Sequence, residues 1–136
     1  MRKLDTLFKL FHIDSITDNR GSLLVIEHLT DVCPFQIKRV YWLYDSDKTL
    51  VRGQHAHKNL NQLFVHIQGE TKIVLSIKGE EHEVVLNKVG DALLLKPGVW
   101  RDVDLNKNGI VFVLADELYD TKDYIRDKSD FLGLKP

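Results

Sequence analysis

The stretch that most constrains this chain is Arg52-Gly53-Gln54-His55-Ala56-His57-Lys58. Side chains on an extended segment alternate between faces, so His55 and His57 point to one side and Ala56 to the other. A helix would need a spacing of three or four residues to bring two imidazoles together, and the residues that follow alternate with a period of two. The spacing therefore predicts a strand that sets two imidazoles side by side. Such a pair has three possible uses: holding a metal, moving protons, or filling space.

The rest of the chain repeats the pattern of short strands closed by turns. Residues 7–13 fit helix or strand by period and are taken as strand. Asp18-Asn19-Arg20-Gly21-Ser22 is a turn cluster whose glycine tolerates a positive φ, and residues 23–28 follow it as a strand. Asp31-Val32-Cys33-Pro34 breaks the chain again. Residues 36–44 are rich in β-branched and aromatic side chains and read as a strand, with Ile37, Arg39, Tyr41 and Leu43 on one face and Lys38, Val40, Trp42 and Tyr44 on the other. Beyond the histidines, residues 62–68 run to a turn at Gly69-Glu70, and residues 71–78 to a turn at Gly79-Glu80. Residues 81–87, 92–95 and 109–115 continue the rhythm. About eight to ten strands at this spacing indicate an antiparallel barrel or sandwich. Only residues 121–131 carry a helical pattern, with Thr121 as cap and Asp123 in the first turn.

With 43% hydrophobic and 29% charged residues, 136 residues suit one domain spanning 1–136 with a sizeable core. A formal net charge of -1 and the lack of a basic run speak against nucleic acid as a partner and leave a small molecule. Cys33 is the only cysteine, which excludes an internal disulfide and a cysteine-rich metal knuckle. Neither a secretory leader nor a stretch long enough to span a membrane is visible, so a soluble, cytoplasmic protein without membrane attachment is expected.

Spacing sharpens the reading. His55, one residue, His57, four residues, Gln62, six residues and Gly69 match the first cupin motif, with glutamine in place of its glutamate. Gly90, six residues, Pro97-Gly98, Val99-Trp100 and Arg101 match the second, with arginine where a third histidine ligand would stand. Residues 52–106 thus resemble a cupin, which implies an all-β fold, a jelly-roll antiparallel β-barrel, here with a short C-terminal helix. A metal-binding cupin would use two histidines, a glutamate and the third histidine. Gln62 is a neutral, poor ligand and a guanidinium at Arg101 opposes a cation, so metal is not expected. A purely structural pair would cost free energy to bury, because alanine or valine fills the same space without polar atoms to satisfy. Proton transfer is the better reading.

Five segments in register extend the likeness over nearly the whole chain: Arg20-Gly21-Ser22-Leu23, Lys38-Arg39-Val40-Tyr41, the histidine stretch, Pro97-Gly98-Val99-Trp100, and Tyr119-Asp120-Thr121-Lys122-Asp123-Tyr124-Ile125-Arg126. Together they resemble the dTDP-4-keto-6-deoxyglucose 3,4-ketoisomerases, sugar-nucleotide cupins that feed 3-amino-3,6-dideoxysugar synthesis. Arg101 departs from them, since family members often have histidine after the tryptophan. The resemblance implies a dTDP-linked keto-deoxysugar as substrate, acid–base chemistry without metal or other cofactor, and a homodimer.

The chemistry fits the residues. The C4 carbonyl of a 4-keto sugar acidifies the hydrogen on C3, and an imidazole of unperturbed pKa about 6.5 suits its removal. His55 and His57 are the expected acid–base pair, with His57 favoured as the C3 base. Tyr41 is expected to donate to the developing oxyanion or relay a proton. Arg20 and Arg52, each before a glycine, look like a pyrophosphate clamp, with Gln62, Trp100 and Arg101 as further substrate contacts. Two alternatives remain: a non-catalytic sugar-nucleotide-binding cupin and a metal-dependent cupin enzyme.

Overall fold

Alternating burial along antiparallel strands builds the molecule. In the computed structural model, which describes residues 7–45 and 51–132 and Asn106 by its backbone alone, ten strands follow one another. They are β1 (Phe8–His12), β2 (Ile16–Asp18), β3 (Gly21–Leu23), β4 (Arg39–Leu43), β5 (Arg52–His57), β6 (Gln62–Ile77), β7 (Glu80–Leu86), β8 (Asp91–Leu95), β9 (Trp100–Ala115) and β10 (Tyr124–Ile125). A short helix, α1 (Lys128–Leu132), closes the described chain. The main sheet runs β1-β8-β6-β9-β5-β10, with β4 also on β9 and β7 on β6, while β2 and β3 form a separate hairpin. The strand pairs are antiparallel throughout. This is the expected cupin-type β-barrel with one short C-terminal helix.

The apolar residues that alternate along these strands meet inside. Phe64, Ile73, Leu75, Leu93, Val103 and Val113 belong to one buried cluster, against which Tyr41 and Leu43 pack from β4. The opposite face of β4 carries Val40 and Trp42, which are exposed. The two-face reading of this strand therefore holds.

Three expectations need correction. Residues 62–68 and 71–78 are not two strands joined by a turn; they form the single sixteen-residue β6. Gly69 does take a positive φ of 70, but the register against β9 shifts there, so the glycine accommodates a bulge. A Cβ at Gly69 would collide with the Asn108 carbonyl of the facing strand. The strand expected over residues 23–28 stops at Leu23, leaving His28 only an isolated bridge to Cys33.

The third correction shapes the site. Residues 121–131 do not make one helix. Asp120, rather than Thr121, caps a 3-10 turn over Thr121–Asp123 by accepting from the Lys122 N–H. Tyr124 then turns extended and pairs with His57, and Ile125 pairs with Ala56. The free edge of β5 and the aromatic surface beneath it override the local helical pattern.

Candidate active site

A glycine bends β5 where the imidazoles begin. Gly53 and Gln54 both have positive φ, 81 and 51, and the register against β9 shifts between Gly53 and His55. A Cβ at Gly53 would lie 2.9 Å from the Arg101 carbonyl oxygen, so only glycine lets the two strands approach this closely. The Gly53 carbonyl in turn lies 2.8 Å from His55 Nδ1.

The two imidazoles touch edge to face, with their Nε2 atoms 3.0 Å apart. His57 Nδ1 lies 2.8 Å from Asp123 Oδ2. The other Asp123 oxygen accepts the Asn59 backbone N–H at 2.7 Å, which fixes the carboxylate. The ring of Tyr124 packs on both imidazoles, with centroid distances of 4.9 Å to His55 and 4.4 Å to His57. Asp123 and Tyr124 reach the histidines because the 3-10 turn and β10 deliver them to the edge of β5.

Donor and acceptor accounting assigns the protons. A carboxylate only accepts, so neutral His57 carries its proton on Nδ1 and turns the Nε2 lone pair toward His55. Neutral His55 has one proton and two acceptors waiting for it, the Gly53 carbonyl and His57 Nε2. Only protonated His55 satisfies both, so accepting a proton completes the hydrogen bonding around it.

What opposes that proton is the surroundings. Burial, followed by the cation of Arg101, pushes His55 down to about 4 from the ordinary histidine value. Burial and Arg101 push His57 down as well, outweighing the pull of Asp123. Arg101 is itself buried, at 1% exposure. Desolvation lowers it to about 10, which leaves it a cation at neutral pH. A resting pair held neutral beside a fixed positive charge is arranged to receive a proton while negative charge develops nearby.

His55 lines a cavity of about 360 Å³, while His57 is buried and touches His55 without lining it. Its wall includes four arginines, Arg39, Arg52, Arg101 and Arg126, together with His55, Tyr41 and Tyr124, and no carboxylate among the described residues. Arg39 stacks over the rings of Tyr41 and Tyr119, and Arg126 lies 4.3 Å from the Tyr124 ring centroid. The buried Nε of Arg39 has no hydrogen-bond partner among the described residues. A cavity so lined suits an anionic ligand carrying several phosphate oxygens.

The structure gathers His55, His57, Tyr41, Arg52 and Arg101 in one place. Gln62 lies behind the wall, donating to Tyr41 Oη at 2.7 Å and accepting from Arg101. Trp100 faces away from the cavity: its ring packs on Phe131 and its N–H donates to Asp102. Arg20 sits at the tip of the β2–β3 hairpin, 86% exposed and ion-paired with Asp18, and is not part of the cavity wall. Sequence reasoning assigned no site role to Asp123, Tyr124, Arg126 or Arg39. The first three fell in a segment read as helix, and Arg39 carried the signal of sharing a face with Tyr41.

Comparison with known proteins places this geometry. A family model described as FdtA, WxcM-like, C-terminal, matches residues 6–135. The chain is 36% identical over 124 residues to a TDP-4-oxo-6-deoxy-alpha-D-glucose-3,4-oxoisomerase of Aneurinibacillus thermoaerophilus, covering 90% of this chain and 88% of that one. It superimposes with a TM-score of 0.86 on QdtA, a sugar 3,4-ketoisomerase from Thermoanaerobacterium thermosaccharolyticum solved with TDP, at 39% identity over 92% of this chain and 91% of that one. WlaRB, a TDP-quinovose 3,4-ketoisomerase from Campylobacter jejuni, matches with a TM-score of 0.84 and 37% identity, covering 92% and 96% of the two chains.

Proposed function

The chain belongs to the FdtA family, and from that membership we propose that it is a 3,4-ketoisomerase acting on dTDP-4-keto-6-deoxyglucose. The product is a dTDP-3-keto-6-deoxyhexose for 3-amino-3,6-dideoxysugar synthesis. QdtA supports the choice of substrate, since a histidine-to-asparagine mutant of that protein was solved with TDP-4-keto-6-deoxyglucose. The observation that carries the reading here is the chain His55, His57, Asp123 beside a cavity lined by arginines.

The reaction divides among these groups. As the C3 proton leaves, the electrons of its C–H bond form a C3–C4 double bond and the carbonyl electrons move to O4, giving an enediolate. The proton enters the gap between the two Nε2 atoms, where His55 and His57 share it and Asp123 stabilises the charge that reaches His57. His55, on the cavity wall, exchanges protons with the two sugar oxygens. Return of a proton to C4 leaves the ketone at C3. Arg101 holds positive charge beside the enediolate throughout.

Arg52 and Arg126, with the free Nε of Arg39, form the clamp for the diphosphate. Arg20 has no part in it within one chain. Gln62 and Arg101, which occupy the positions of metal ligands in other cupins, are already bonded to each other, and Arg101 brings a cation to the site. We therefore read the reaction as needing neither metal nor cofactor. We also read residues 1–136 as one domain and the protein as a cytoplasmic homodimer in which a second copy covers the exposed apolar face of β4, where Trp42 is 55% exposed.

Incubation with dTDP-4-keto-6-deoxyglucose in D2O tests the reading. Deuterium at the exchanging carbons and a 3-keto product are expected; neither signal from folded protein would leave a sugar-nucleotide-binding cupin.

A further inference from the structure

Arg101 is among the largest fully buried side chains, and its acceptors among the described residues are neutral. Its Nε and Nη2 point at the Val99 carbonyl, at 3.4 and 3.2 Å, and its Nη1 donates to Gln62. A guanidinium offers donors and no acceptor. The Gln62 atom facing it must therefore be the amide oxygen, which leaves the amide nitrogen facing Tyr41. That nitrogen, 2.7 Å from Tyr41 Oη, can only donate. The tyrosine oxygen thus spends a lone pair on Gln62, and no acceptor for its own proton is found among the described residues. Tyr41 lines the cavity together with Arg101 and His55.

We propose that Arg101 and Gln62 act in series to aim the Tyr41 hydroxyl proton into the cavity, so that Tyr41 donates a hydrogen bond to the sugar oxygen on which charge develops. Gln62 is the positioning residue, acting through Tyr41. The identity of that oxygen rests on the ketoisomerase reading; the direction of the proton does not. Burial raises the Tyr41 hydroxyl above its ordinary value, so it keeps the proton it offers. A role also follows for glutamine where many cupins have glutamate. A carboxylate at that position would accept from Arg101 and Tyr41 alike and draw the phenolic proton away from the substrate.

Two measurements test the device. In turnover assays, Tyr41→Phe should lower kcat about 10²-fold with KM little changed, as for loss of one oxyanion donor. Gln62→Glu should lower kcat at least roughly tenfold, and should cost nothing further when Tyr41 is already Phe. An undiminished Gln62→Glu effect in the Tyr41→Phe background would overturn the positioning role.

The second measurement needs no substrate. Tyrosine labelled with 13C at Cζ reports ionisation by NMR, and the Tyr41 resonance is assigned by its absence in Tyr41→Phe. Gln62→Met removes a donor to the phenolate and should raise the Tyr41 pKa. A fall would mean that Tyr41 donates to Gln62, which reverses the inferred direction. Should wild-type protein neither turn over nor exchange the keto sugar, the ketoisomerase reading fails, and the NMR titration alone still decides where the proton points.

Discussion

Asp123 holds His57 Nδ1 at 2.8 Å across a separation of 66 residues, the longest-range contact in the acid–base chain. It fixes the tautomer that leaves His57 Nε2 as the basic atom.

Asp123→Asn should therefore lower kcat by roughly 10²- to 10⁴-fold, because an amide can donate to Nδ1 and so permit the wrong tautomer. Affinity for dTDP, measured calorimetrically, should stay near wild type. Loss of dTDP binding in step with kcat would assign Asp123 a merely structural role.

The two histidines should not be equivalent. His57→Asn should abolish both turnover and deuterium exchange at C3, since it removes the atom that shares the proton with His55 and links it to Asp123. His55→Asn should retain slow exchange while forming little 3-keto product, because transfer at the oxygens is what it lacks. Wild-type turnover in both variants would refute the catalytic reading of the pair.

Acid should inactivate the enzyme later than an ordinary histidine implies. With His55 at about 4 and His57 also lowered, both remain neutral well below the unperturbed value of about 6.5. The acid limb of kcat/KM is expected close to pH 4. Stability follows the same sign: the unfolded chain protonates these histidines near 6.5 while the folded one resists. Their neutral burial is thus without penalty above about pH 6.5, and stability falls as the pH drops toward the folded values. An activity limb at pH 6.5 would show that burial and the Arg101 cation do not depress the pair.

Arg52→Ala should weaken dTDP binding by about 1.5 to 3 kcal/mol, the range for a hydrogen bond to a charged group, or roughly 10- to 150-fold in Kd. Arg20→Ala should change the affinity of a single site little, because that side chain is held by Asp18 outside the cavity wall. Isothermal titration with dTDP separates them, and the reverse order would move the clamp to the hairpin.

Exhaustive chelation should leave full activity, with substoichiometric metal by elemental analysis. Activity that vanishes and returns only with added iron or zinc would contradict the proton-transfer mechanism.

Much of this arrangement was legible in the chain because two-residue alternation is a local property. The pairing of His55 with His57, and the shared face of Arg39, Tyr41 and Leu43, follow from it directly. Most of what stayed hidden depends on contacts between distant strands. Gly69 has the φ of a turn residue, and only the nearness of Asn108 makes it a bulge in a continuous strand. Trp100 and Arg101 are neighbours in sequence, yet the strand sends one toward Phe131 and the other toward the histidines. Asp123 sits where a helix dipole would welcome it, and the competing attraction, the edge of β5, lies more than sixty residues earlier. Arg20 has the composition of a phosphate ligand, but its nearest carboxylate is two residues away and claims it.

Among the described residues, the two-residue β10 is the only strand that joins the C-terminal segment to the barrel, and it brings Asp123 to His57. Such a short pairing is a latch whose opening costs far less than unfolding the sheets, so it belongs among the first parts of the molecule to let go. Competence and foldedness are therefore separable. On gentle heating the enzyme should fall silent while its β-sheet circular dichroism is still intact, and cooling should restore activity without any refolding of the barrel.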